Sequence, residues 1–385
     1  MAVNASAPFL MSAVSFEQLQ KLGKAMWNWT TCGACNGNAT CSRSTCPWYG
    51  EARFHAFWDR YKALTNEYLP EGTTFSCPAL SSHDDLLRLI QTIKDSLDLD
   101  RERIIVSHFA VPNSNGKLCT NAVDQDRAVN IAASIMFMTN CGTPQVCADF
   151  LEEGSPSISW RGDVTATAFV GEAFPRTISG LLANGLGDTR MSDFLGSLAA
   201  SKLVKAGFTL EPTDDLRSHL TMDYSGKRKV VRVFHCSAVL KEMLLASRPD
   251  GSRCLVPRSL ALEVLYTLYN ILFPDDRSGT YVTKCGFDPD VLRCDVSRYR
   301  RKDDPEVDNT YFGTRLKEIY DEMQNPTPRH DWANWFHRHS AQRYMMMATM
   351  IGVFIAVIIG ILGLGISGFQ AYVSYQQWKH PVKDA

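Results

Sequence analysis

Between Tyr344 and Trp378 the chain carries no Asp, Glu, Lys or Arg. The dense apolar part, MMMATMIGVFIAVIIGILGLGISGF, runs from Met345 to Phe369. A helix of about 20 apolar residues crosses the hydrocarbon core of a bilayer, so this run is long enough to span it with some tilt. A buried helix of a soluble protein rarely reaches such a length without a charge. Interfacial aromatics bracket the run: Trp332, Trp335, Phe336 and Tyr344 before it, Tyr372, Tyr375 and Trp378 after it. This is the pattern of an aromatic belt at the two headgroup levels. The reading is a single transmembrane helix at 345–369 with a short tail at 370–385.

The flanks add detail. Trp332, Trp335 and Phe336 share one helical face with Arg338 and Arg343 nearby, as in an amphipathic helix lying at the membrane surface. Asn325-Pro326-Thr327-Pro328 is a stiff hinge before it, so 326–344 reads as hinge plus juxtamembrane helix. Within the span Ala348, Gly352, Ala356, Gly360 and Gly368 recur at four-residue spacing, interrupted by Leu364. Small residues so placed let two helices approach closely, which makes Gly352, Ala356 and Gly360 candidate packing positions of a homodimer. Glycine and alanine are also common in membrane helices without such a role. The first Lys or Arg is Lys21, and no cleavable signal peptide is evident. The apolar run is then the main insertion signal, as in a tail-anchored protein. Arg329, Arg338 and Arg343 precede the span against Lys379 and Lys383 after it, which places the large N-terminal region in the cytosol.

The 385-residue chain as a whole is 45% apolar and 21% charged with a net charge of −1, enough apolar matter for one or two cores and no electrostatic case for nucleic acid. Its short basic runs, at Lys227–Arg232 and Arg298–Lys302, read as solvated faces. Three- and four-residue apolar spacing predicts helices over 16–29, 51–69, 82–97 (capped by Ser82), 124–139, 165–174, 192–206, 237–246, 257–273 and 314–324. Thr213 reads as the cap of a further short helix over DDLRSHL. KRKVVRVFH, Lys227 to His235, is the best strand; with Leu220 to Tyr224 it makes a hairpin around Ser225-Gly226. The fold expected is mainly α with a small β-hairpin and a single C-terminal transmembrane helix. Residues 1–80 form a Cys-rich helical segment and 81–325 a mainly helical globular domain, loop-rich near 142–190.

Motifs that name a reaction are missing: no G-x-S-x-G, no G-x-x-x-x-G-K-[ST] and no H-E-x-x-H. Asp98-x-Asp100 and Asp288-x-Asp290 are spaced as divalent-ion ligands, though such pairs are common in turns. The most site-like group is Asp214, Asp215, Arg217 and His219 with His235 and Cys236 after the hairpin. A strand returning beside the capped helix would bring Asp214, His219 and His235 together, and a His–carboxylate pair can serve as general base. The alternative is structural: carboxylates at a helix N-terminus and a hydrogen-bonded histidine. No catalytic residue is assigned beyond these three candidates.

Thr31 to Cys46 reads TCGACNGNATCSRSTC, with spacing Cys32-x2-Cys35-x5-Cys41-x4-Cys46. Four thiols so close are free, bound to zinc as an unusually tight knuckle, or joined as two disulfides. Free thiols and zinc suit a reducing compartment, disulfides an oxidising one. Sequons at Asn4, Asn28 and Asn38 favour the latter weakly, since such matches also arise by chance. Zinc is the one cofactor considered, and none is expected otherwise.

The stretches PTDDLRSHL (Pro212 to Leu220), VRVFH (Val231 to His235), LALEVLYTLYNILFP (Leu260 to Pro274), FDPD (Phe287 to Asp290), MMATMIGVFIAVIIG (Met346 to Gly360) and WKHP (Trp378 to Pro381) resemble a family of uncharacterised proteins in filamentous fungi. The likeness covers Leu86 to Pro381 and leaves the Cys-rich segment outside. It implies a fungal source and a helical body ahead of one membrane span, and supplies no catalytic residue. Three functions compete: a membrane-anchored interaction or scaffold protein with the bilayer and unknown proteins as partners; an accessory or catalytic component of a specialised-metabolite pathway; and a luminal or cell-surface disulfide-bonded module.

Overall fold

Leu19, Leu22 and Met26 recur at three- and four-residue intervals, and in the computed structural model of the chain they line the buried face of α1 (Phe16–Trp27). The structure describes residues 14–68, 78–142, 157–177, 188–223, 229–249, 252–274, 279–292, 296–326 and 345–379. The chain up to Gln324 forms one compact unit and the remainder a second.

Helix starts are set by side-chain caps. The Ser15 hydroxyl accepts from the Gln18 N–H while the Gln18 side chain accepts from the Ser15 N–H, a reciprocal pair that satisfies two otherwise unpartnered donors. A 3-10 turn at Glu51–Phe54 leads into α2 (His55–Asn66). Ser82 caps α3 (His83–Asp95), whose Leu86, Leu89, Ile90 and Ile93 are fully buried. Asp100 caps α4 (Arg101–Phe109), a helix that periodicity does not announce because only Arg101, Ile104 and Phe109 are buried. Asn121 caps α5 (Ala122–Met136) and Thr165 caps α6 (Ala166–Ala173). The helix expected over 192–206 is two, α7 (Asp188–Ser197) and α8 (Ala200–Lys205), because Ala199 is extended between them. Phe16, spaced in helical register with Leu19, Leu22 and Met26, is nevertheless 45% exposed.

The sheet has three strands in the order β1-β3-β2. β2 (Thr221–Asp223) and β3 (Lys229–Phe234) are antiparallel, pairing Thr221 with Arg232 and Asp223 with Val230, as the hairpin reading requires. The expected turn at Ser225-Gly226 lies outside the described residues. β1 (Phe208–Thr213) adds a parallel edge, pairing Leu210 with Val231 and Pro212 with Val233. Proline disguises it as a loop, yet an edge strand tolerates a residue with no N–H to donate. Thr213 therefore ends a strand rather than capping a helix; Asp215 accepts the Arg217 N–H and caps a single 3-10 turn, Leu216–Ser218.

After the sheet come α9 (Ser237–Ala246) and α10 (Arg258–Tyr266), the latter running on as a π-helical turn, Thr267–Leu272. α11 (Gly279–Cys285) and α12 (Gly313–Gln324) complete the unit. One aromatic cluster joins its N-terminal and later parts. Trp27 stacks on Phe54 at 5.2 Å and lies 4.9 Å from Trp29, and Trp48 lies 6.0 Å from Trp58. Trp29 folds over α1 at Gly23, where an added Cβ would sit 2.2 Å from its ring, so this helix position takes only glycine. The Trp29 indole N–H then reaches Glu242 of α9 at 2.8 Å, and Arg53 meets the same carboxylate at 2.6 Å. The Cys-rich segment thus shares its core with the rest of the unit.

In the second unit, α13 (Met345–Lys379) is one uninterrupted helix. Its segment Thr349–Gln376 is long and apolar enough to cross a membrane; the most apolar 18-residue stretch has a mean hydropathy of 2.6, and none of it is buried. Gly352, Ala356 and Gly360 lie on its exposed surface, with nothing within 4 Å of a Cβ added at either glycine. Trp378 near its end is exposed. Trp332, Trp335, Phe336 and most of the Pro hinge lie outside the described residues.

Candidate metal centre

The Cys-rich segment leaves α1 at Asn28, whose left-handed backbone turns the chain, and folds back over that helix. Cys32 is extended and a 3-10 turn follows at Gly33–Cys35, with the Cys35 N–H on the Cys32 carbonyl at 3.1 Å. Gln20 of α1 clamps the far side. Its amide donates to the Cys35 carbonyl at 2.7 Å and its oxygen accepts from the Gly37 N–H at 3.2 Å. Gly37 has a φ of +71°, a left-handed conformation that a side chain would strain. The Trp48 indole donates to the Asn38 carbonyl at 2.9 Å and tethers the loop to the aromatic cluster.

These clamps converge four sulfurs. The Sγ atoms of Cys32, Cys35, Cys41 and Cys46 all lie within 4.8 Å of one another. Cys32 and Cys41 are 3.5 Å apart, as are Cys35 and Cys46. Four thiolates around a zinc ion at ~2.3 Å would stand ~3.8 Å from each other, so the cluster is close to the size of a tetrahedral thiolate site. The Cys32 N–H points at the Cys46 sulfur at 3.4 Å, a donor that would stabilise thiolate charge. Cys32 is half-buried and the other three are buried. The hydrogen bond with Cys41 holds the Cys32 thiol down at about 7, whereas burial pushes Cys35 up to about 12. Among the described residues this is the group of His, Cys, Asp and Glu side chains that can hold a metal ion.

The other candidate ligands are committed elsewhere. Asp100 caps α4, and Asp98 pairs with Arg253. Asp290 accepts from Ser237 and Lys241, while Asp288 accepts the Asp290 N–H.

The three catalytic candidates are each placed, and each has a structural bond. His219 is fully buried. Its Nδ1 accepts from the Phe234 N–H at 3.1 Å, so its proton sits on Nε2 and is donated to the Thr267 hydroxyl at 2.9 Å. Thr267 opens the π-helical turn, so this histidine fastens the sheet to that turn. His235 Nδ1 accepts from the Asp288 N–H at 3.2 Å. Asp214 pairs with the buried Arg60 at 3.1 Å. Arg60 was not legible as a partner, because 154 residues of sequence separate it from Asp214. Of the sequons, Asn28 accepts from Lys94 at 2.9 Å, Asn38 is exposed with its amide on the Ala34 carbonyl at 3.0 Å, and Asn4 lies outside the described residues.

Burial lowers the pKa of His219 to about 3, with Arg315 adding to the shift. The unfolded histidine, near 6.5, therefore takes up a proton first as pH falls, and folding stability is lost at ~1.4 kcal/mol per pH unit below that value. Glu263 works in the opposite sense, since burial raises its pKa to about 7 and its folded form keeps a proton that the unfolded form has shed. Urea denaturation at pH 6.5 and 4.5 should show a pH dependence shallower by about one proton in His219→Gln than in the parent. Equal slopes would mean that His219 titrates normally in the folded protein.

No family model matches the chain, and neither a curated protein nor a solved structure is found to be similar to it.

Proposed function

We propose that this is a membrane-anchored interaction protein whose N-terminal unit works on the reducing, cytosolic face of a bilayer and is closed by a structural zinc ion on Cys32, Cys35, Cys41 and Cys46. The observation that carries it is the approach of four sulfurs within 4.8 Å, in a loop held by Gln20 and Trp48. A four-thiolate site with no remaining open position is structural rather than catalytic. It needs thiols that stay reduced, which fits the cytosol. The apolar helix Thr349–Gln376 supports the anchor. The bonds of His219, His235 and Asp214 support a body built for shape, since each polar group that sequence nominates for catalysis fastens two elements.

Two measurements test this reading. Purified chain should carry one zinc per molecule by elemental analysis. In membrane vesicles prepared with the cytosolic face outward, an N-terminal tag should be cleaved by added protease. A protected tag, or an N-glycan on Asn28 or Asn38, would place the unit on the other side and remove the proposal.

A further inference from the structure

The four sulfurs are not equally spaced. Two pairs stand at 3.5 Å, Cys32 with Cys41 and Cys35 with Cys46. Neither pair is the sequence-adjacent Cys32-x2-Cys35, whose Cys35 sulfur is turned toward the Cys32 carbonyl at 3.2 Å. A disulfide needs its sulfurs at ~2.05 Å, so each close pair has ~1.5 Å to travel. The two loops interleave, since Cys35 lies inside the first and Cys41 inside the second. Gln20 and Trp48 hold the backbone of both through main-chain carbonyls and an N–H, none of which involves a sulfur.

We infer that the site has a second closed state, with Cys32–Cys41 and Cys35–Cys46 joined as disulfides and the metal expelled, and that a peroxide drives the exchange. This rests on the zinc reading for its starting state and not for its pairing. Cys32 is the half-buried member and the point of entry. Its thiolate attacks a peroxide oxygen; the S–O bond forms, the O–O bond breaks, and hydroxide leaves. Cys41 then attacks the Cys32 sulfur; the S–S bond forms and the S–O bond breaks, releasing a second hydroxide. Cys35 and Cys46 repeat the sequence. Each disulfide surrenders two electrons to one hydrogen peroxide. Overall the zinc tetrathiolate, two hydrogen peroxides and four protons give two disulfides, free zinc and four waters. The exchange replaces a site of net charge −2 by a neutral one without undoing the clamps. Its output is a change of charge and zinc occupancy on one face of the anchored unit.

The test uses the full chain in detergent micelles, reduced and loaded with zinc, then exposed to hydrogen peroxide. A chromogenic chelator follows zinc, and non-reducing proteolysis with mass spectrometry reads the bonds. The expected result is one zinc released per chain together with Cys32–Cys41 and Cys35–Cys46 peptides, reversed by thiol reductant. Cys254→Ser should leave both the release and the pairing unchanged. A Cys32–Cys35 or Cys41–Cys46 bond, cross-linked chains, or retained zinc would overturn the inference. If the reduced chain takes up no zinc, the metal reading of the site fails; the pairing found in the peroxide-treated chain still decides the second state.

Discussion

Removing the proposed zinc ion, by chelation or by Cys46→Ser, should lower the stability of the N-terminal unit more than any other substitution proposed for this protein. A ligand that binds only the folded state stabilises it by RT ln(1 + [L]/Kd). For a picomolar site at micromolar free zinc this is about 8 kcal/mol. The loss has a definite place to appear. Without a metal the four thiols are left with one backbone N–H, the Cys32 and Arg43 carbonyls and each other as close polar partners, around a Cys35 that burial keeps protonated. The loop then rests on Gln20, Trp48 and its own backbone turns, and Trp48 is fully buried against Trp29 and Trp58. Chelation should therefore lower the melting temperature and shift tryptophan emission to the red as this cluster takes up water. Chelator added to Cys46→Ser should do nothing further, since the site it strips is already gone. A melting temperature that ignores both treatments would leave the cysteines as ordinary buried apolar groups.

How much of this was legible in the residues depends on how local the signal is. A charge-free run fixes a helix by itself, and α13 follows the run. Leu86, Leu89, Ile90 and Ile93 repeat at helical spacing, and α3 follows them. Val231 and Val233 alternate, and β3 follows. α4 was hidden because its neighbours cover only Ile104, Phe109 and the stem of Arg101, too few for a stripe. β1 was hidden by Pro212, which an edge strand accepts. In the candidate site the cysteine spacing left free thiols, a zinc knuckle and two disulfides open and gave no partners, because the approach of Cys32 to Cys41 depends on the loop that Gln20 and Trp48 hold. His219 and His235 carried the opposite ambiguity. A histidine that fastens two elements and one that moves protons look alike until the partner is seen, and for His219 that partner is Thr267, 48 residues away.

The least legible feature has the second largest expected effect. Lys241 of α9 is 1% exposed and meets Asp290 at 2.6 Å. The same carboxylate oxygen accepts from the Ser237 hydroxyl at 2.7 Å, and the Asp290 carbonyl accepts from the Tyr269 hydroxyl at 3.0 Å. The ammonium also lies 5.2 Å from the Tyr269 ring centre. Two charges so deep gain little net energy from each other, because drying them costs about as much as their attraction returns. Removing one is different. Lys241→Met leaves the Asp290 carboxylate buried without its cation, and such breaks cost about 3–5 kcal/mol. Asp290→Leu should cost a similar amount by stranding the ammonium. The double variant Lys241→Met/Asp290→Leu should recover most of the loss, since it strands neither charge. Urea denaturation of the four proteins gives the coupling directly. The exposed pair Lys21–Glu17 is the control, where Lys21→Met should cost under ~1 kcal/mol because water already solvates both partners. Additive single losses would mean that Lys241 and Asp290 stabilise the fold through packing alone. A large coupling makes the pair a register lock between α9 and the Pro289–Leu292 turn, the two elements it joins.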